Sequence, residues 1–176
     1  DFSHRMLDLG RTKVTQNNYD KSISFQIGSG EHLPFANESF DGVICAFGIR
    51  NFANVQMGLR EFYRVLKPGG RLIVMFYHRN SAKYQFLYRV WSWVTGKSMQ
   101  QLVNEFDGVG NPKGTVFSKT QLSAMLGRFE GVKMNVGFLR TSDIILRGGR
   151  FLPGNLFKPL APLIGWNLYA KARKQK

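Results

Sequence analysis

The chain has 176 residues, 43% of them hydrophobic, which suits one domain with a real core, and no apolar run approaches the roughly 18 residues of a membrane-spanning helix. A lone cysteine, Cys45, excludes an internal disulfide and argues against a cysteine zinc site, so no metal is expected. The net charge is +14, divided as +4 over residues 1–88 (11 Lys/Arg, 7 Asp/Glu) and +10 over residues 89–176 (14 and 4), so the second half would attract an anionic partner: nucleic acid, anionic lipid or an acidic substrate.

The opening Asp-Phe-Ser-His-Arg is polar, unlike a signal peptide, and does not begin with Met, which points to a fragment or a processed chain. A cytoplasmic protein fits this composition. Ser3 is placed to cap a short helix carrying Met6, Leu7 and Val14. Ile23, Phe25 and Ile27 alternate with polar residues, which predicts a strand ending at Gly28. The apolar run from Gly42 to Phe47 predicts a buried parallel strand. Asn54 then caps an amphipathic helix with Val55, Leu59, Phe62 and Leu66 on one face and Arg60, Glu61 and Arg64 facing away. Lys67-Pro-Gly-Gly70 stops it, and residues 71–77 form a second buried strand. Strand, helix, strand in this order implies a parallel sheet.

The second half differs. Residues 82–95 read as an aromatic-rich helix and residues 96–117 mostly as loop. Ser118 and Gln121 make a capping box for a helix with Leu122, Met125, Leu126 and Phe129. Val132, Met134, Val136 and Phe138 alternate as a strand. A Pro- and Gly-rich connection spans 140–165, and Trp166, Leu168, Ala170 and Ala172 alternate as a last strand before a basic tail.

Three segments in this order resemble the class I S-adenosylmethionine-dependent methyltransferases, particularly the type 11 branch: Asp1-Phe-Ser-His-Arg-Met-Leu7; Gly28-Ser-Gly-Glu-His-Leu-Pro-Phe35 with Ser39-Phe-Asp41; and Phe47-Gly-Ile-Arg-Asn51 with residues 64–72. The Phe-Gly-Ile-Arg-Asn run is similar to the quinone-ring C-methyltransferases of menaquinone and ubiquinone synthesis. The match is good over residues 1–77 and weaker, mostly architectural, over 118–176; beyond residue 77 the chain does not continue in the pattern of the quinone-ring enzymes, so their acceptor is not carried over. The resemblance implies an α/β, Rossmann-like methyltransferase sheet, mostly parallel with an antiparallel last strand. It also implies one partial domain over 1–176, with a cofactor-side core over 1–77 and substrate-side cap segments at 78–117 and 140–165. The family's first strand and its Gly-rich loop have no counterpart upstream of Asp1, so the chain is expected to be truncated at its front and to bind cofactor poorly if complete.

The resemblance assigns S-adenosyl-L-methionine as cofactor, with Asp1 accepting hydrogen bonds from its ribose diol and Met6 nearby. Ser29, Gly30 and Glu31 would lie on the adenine side, with Ser29 where an Asp or Asn is more usual, and Ala46 and Phe47 would edge the pocket. Arg50 and Asn51, on the loop after the fourth family strand, are candidates for the acceptor, as are Tyr77 and Trp91. His78, just past the fifth family strand, is a candidate base or acceptor ligand. As ordinary residues, His78 reads as a loop histidine, Tyr77 as core packing and Cys45 as core.

If the last strand runs antiparallel, both 78–117 and 140–165 cross the carboxyl edge of the sheet. Both are aromatic or basic: Tyr84, Phe86, Tyr88, Trp91 and Trp93 in one, and Arg140, Arg147, Arg150, Phe151, Phe157 and Lys158 in the other. Apolar residues on two helical faces suggest burial between sheet and cap, or peripheral contact with an anionic membrane around a small, lipid-like or quinone-like acceptor. The alternatives are a nucleic-acid methyltransferase, suggested by the +10 half but lacking a recognised RNA-binding module, and a cofactor-free interaction module.

Overall fold

A computed structural model describes residues 3–46, 48–82, 84–85, 88–98, 101–102, 115–139 and 156–176. The sequence assignments to Asp1, Phe47, Phe86 and residues 140–155 lie outside the described residues, as does the side chain of Arg50.

The elements are α1 (His4–Gln16), β1 (Phe40–Cys45), α2 (Val55–Val65), β2 (Leu66–His78), α3 (Tyr88–Thr95), β3 (Val116–Phe117), α4 (Lys119–Met125), β4 (Phe129–Gly137), α5 (Ala161–Ile164) and β5 (Asn167–Lys174). They build a five-stranded sheet in the order β1-β2-β5-β4, with β3 also on β2. β1 and β3 are parallel to β2, and β5 is antiparallel to both β2 and β4. Four strands therefore point one way and the last opposes them, as expected from the sequence. Because β5 lies between two of them, more of the ladder is antiparallel than parallel. The carboxyl ends of β1, β2 and β4 share one edge, and β5 starts there: Asn167 pairs with both Tyr77 and Gly137.

The caps follow from side-chain chemistry. Ser3 accepts the Met6 N–H at 3.3 Å, Asn54 accepts the Met57 N–H at 3.1 Å, and the Ser118–Gln121 capping box is complete. α2 and α4 bury their apolar stripes on one face of the sheet, where Leu59, Phe62, Leu122 and Leu126 meet Leu72, Val74, Phe76, Leu168, Ala170 and Ala172. At the far end Lys174 is buried, and its Nζ donates to the Leu66 carbonyl at 2.8 Å and to Glu38 at 3.1 Å. No side-chain nitrogen or oxygen buried among the described residues lacks a hydrogen-bond partner.

Three expectations are corrected. Residues 23–28 form no strand: Ile23 and Ile27 are exposed, and Phe25 instead leans on α1, its ring against Gly10. Alternation makes a strand only where a partner edge is available, and no described strand lies beside this segment. Lys67 to Gly70 do not separate helix from strand; they belong to β2, which begins directly after Val65 with a register shift opposite Phe40 and Gly42. The expected helix over 82–95 is regular α-helix in the described structure over Tyr88–Thr95.

Candidate functional site

The site begins with the loop after residue 28, which α2 holds in place. Glu31 accepts the backbone N–H of Asn54, at the start of α2, and the Ser29 hydroxyl accepts the Glu31 N–H at 3.1 Å. Further along, Glu61 accepts the Leu33 N–H at 2.9 Å. The Arg64 guanidinium grips both oxygens of Glu61 at 2.8–2.9 Å and donates to the carbonyls of Leu33 and Phe35 and to the Asn37 side chain. The Arg64 hydrogen bond holds the Glu61 carboxyl below the usual carboxylate range, against the upward pull of burial. Sequence reasoning put Glu61 and Arg64 on the solvent side of the helix. Their i,i+3 spacing was the available signal, and it identifies a pair without revealing the loop that the pair binds.

Between this loop and β1 lies a cleft of about 660 Å³, within the range of small-molecule sites. At its upper end Ser29, Gly30, Glu31, Cys45, Gly48, Asn51 and Phe52 converge beside the carboxyl end of β1. Its lower end follows the side of β1 that has no partner among the described strands, past Phe40, Val43 and Ile44. Phe52, which the sequence reading overlooked, sets the shape: a Cβ on Gly30 or on Gly58 would overlap its ring. Burial pushes the Cys45 thiol up, the Ile49 backbone opposing this, so the cysteine in the wall stays a neutral thiol.

A second constellation stands at the carboxyl end of β2. Tyr77 is buried and stacks on Trp166 with ring centroids 5.2 Å apart, and the indole N–H of Trp166 donates to the Tyr84 hydroxyl at 3.2 Å. Tyr84 and Tyr88 meet edge to face. His78 is also buried, so it is not an exposed loop residue. Its Nδ1 lies 3.2 Å from the Gly165 carbonyl, which can only accept, so Nδ1 carries the proton and Nε2 is the basic nitrogen. Burial lowers its pKa and the Lys119 charge adds to this, while the Gly165 bond opposes both.

Of the residues singled out in the sequence, Ser29, Gly30, Glu31 and Asn51 are brought together in the cleft. Tyr77 and His78 lie at the neighbouring strand end. Met6 is exposed on α1, Ala46 is exposed past the end of β1, and Trp91 is 42% exposed on α3; none of the three lines the cleft. Ser29 and Glu31 spend hydrogen bonds inside the protein, one on the loop itself and one on α2. No group of three potential metal ligands occurs among the described residues.

Residues 1–108 match the model of the ubiE/COQ5 methyltransferase family, so the likeness includes residues 78–108, between the two stretches that carry the resemblance in the sequence. The ubiquinone/menaquinone biosynthesis C-methyltransferase of Geotalea daltonii is 48% identical over 75 residues, 43% of this chain and 32% of that protein. The demethylmenaquinone methyltransferase of Symbiobacterium thermophilum is 32% identical over 155 residues, 85% of this chain and 61% of that protein. The chain thus spans about a third to three fifths of the length of these relatives. Among solved structures, a SAM-dependent methyltransferase from Thermotoga maritima superposes with a TM-score of 0.62 at 22% identity, over 99% of this chain and 72% of that one, a likeness of fold. With its Rossmann-like methyltransferase sheet and a family match over more than half its length, the chain belongs to the ubiE/COQ5 methyltransferase family.

Proposed function

We propose that this chain carries part of an S-adenosylmethionine-dependent C-methyltransferase acting on a quinone-like ring. The observation that carries this reading is the adjacency of two sites on one edge: the cleft at the end of β1 and the aromatic wall at the end of β2. Ligands of open α/β sheets sit at the carboxyl ends of the strands. The nucleic-acid and cofactor-free alternatives gain nothing from the family match.

When bound, S-adenosylmethionine supplies a methyl group already activated for transfer. The upper cleft suits its adenine side: Phe52, packed against Gly30, and Cys45 give apolar walls, and Asn51 offers a polar side chain. By their places in the family pattern, Asp1 is assigned to the ribose and Met6, Ala46 and Phe47 to the cofactor. The family's first strand and Gly-rich loop would lie along the side of β1 that has no partner among the described strands. Arg50, Tyr77 and Trp91 keep their assignment to the acceptor, which they would orient while excluding water, whereas Asn51, grouped with them in the sequence, is reassigned to the cofactor side because it lines the cleft. A ring carbon that gains a methyl group must lose a proton, and His78 is assigned to receive it at Nε2.

The test is calorimetry with S-adenosylhomocysteine followed by methyl transfer to a prenylated hydroquinone. Binding that weakens in Asn51→Ala, with product methylated on carbon, is the expected result. Absence of binding, or methylation on oxygen, would overturn this reading.

A further inference from the structure

We propose that the outer face of α3 is a docking element for an anionic lipid surface, with the 156–164 segment as its second contact. The inference does not rest on the methyl-transfer reading. α3 turns Tyr88 inward, and its opposite side carries Val90, Trp93 and Val94, with Trp93 88% and Val94 69% exposed. Short soluble helices ordinarily bury such residues, and these three share one helical face. At the same sheet edge Leu160 and Leu163 are exposed too, on the 3-10 turn and helix that lead into Gly165 and Trp166.

Charge selects the occupant. The described cations at this edge are all exposed: Arg79 just past β2, Arg89 on α3, Lys97 just past it, and Lys158 among the exposed leucines. Apolar side chains interleaved with cations match the boundary between anionic headgroups and acyl chains, where Trp is favoured. A polynucleotide fits less well, because Val90, Val94 and Leu163 offer neither a stacking surface nor a hydrogen bond to it. No helix among the described residues is long and apolar enough to cross a membrane, so the contact is peripheral.

The test is co-sedimentation with vesicles of phosphatidylglycerol and phosphatidylcholine in equal parts, and with phosphatidylcholine alone. The protein should sediment with the first and not the second, less so as salt rises. The double variant Trp93→Ser, Val94→Ser should lower partitioning roughly ten-fold or more, while Leu9→Ser, exposed on α1, should not change it. Circular dichroism confirms that both variants fold. The proposal is overturned if the parent ignores anionic vesicles, if it binds phosphatidylcholine equally, if the double variant sediments like the parent, or if polyuridylic acid binds it and strips it from vesicles. Vesicle binding requires neither cofactor nor acceptor, so its failure is distinguishable from a failure of methyl transfer.

Discussion

Gly30 lies against the ring of Phe52 so closely that no Cβ fits between them, and Gly58 of α2 meets the same ring as closely. The cleft loop, the turn after β1 and α2 are thus joined through one phenyl group. Gly30→Ala must displace that ring, and overpacking of this kind costs about 1–3 kcal/mol. Urea denaturation of Gly30→Ala should show a lower midpoint at unchanged slope. Phe52→Leu should relieve part of the loss, so the two substitutions should be non-additive. Strict additivity would mean that the ring does not transmit the strain.

Much of the framework was legible because it rests on local signals. Asn54, Ser118 and Gln121 announced their helices through capping chemistry, and Leu168, Ala170 and Ala172 announced β5 through alternation. What stayed hidden depends on partners distant in sequence. Arg64 looks like a solvated helix residue until Leu33, Phe35 and Asn37 are placed beside it. Ile23 and Ile27 have a strand pattern but no strand to pair with. Ser29 and Glu31 line the cleft, yet their polar atoms bind the protein's own backbone, which spacing does not reveal. Trp166 read as part of a strand, whereas its role is to stack on Tyr77.

The Glu61–Arg64 clamp makes loop stability depend on acid. The folded carboxyl titrates below its unfolded value, so its contribution is present above the ordinary carboxylate range and is lost as pH falls through the folded value. Glu61→Gln should therefore be less stable than the parent at neutral pH, and the gap should narrow below about pH 4. Denaturant midpoints for both proteins across that range provide the check. A gap that persists undiminished in acid would show that the carboxylate charge is not what holds the loop.

Lys174 ties the end of β5 to the start of β2. Its Nζ serves the Leu66 carbonyl and Glu38 and lies 5.0 Å from the centre of the Tyr63 ring. Lys174→Met keeps most of the aliphatic volume but leaves the buried Leu66 carbonyl without this donor, which costs about 1–3 kcal/mol. Thermal or urea unfolding should register that loss. A neutral result would mean that another donor replaces the ammonium.

His78 joins the end of β2 to the turn before β5, and its protonation should destabilise the fold because it charges a buried ring, even though the Gly165 bond itself favours the charged form. Its folded pKa is lowered, chiefly by burial, so the unfolded chain takes up the proton first. Stability is then full above the ordinary histidine range and falls as pH drops from about 7 towards the folded value. His78→Gln can still donate to the Gly165 carbonyl but cannot titrate, so it should remove that part of the pH dependence while folding normally at pH near 7. Nitrogen chemical shifts of the ring in the parent should show the proton on Nδ1 at neutral pH. The same variant separates anchoring from proton transfer. A kcat that collapses while S-adenosylhomocysteine affinity holds identifies His78 as the proton acceptor. An unchanged kcat with the pH effect abolished leaves it as the anchor between the two strands and moves the base elsewhere on the carboxyl edge.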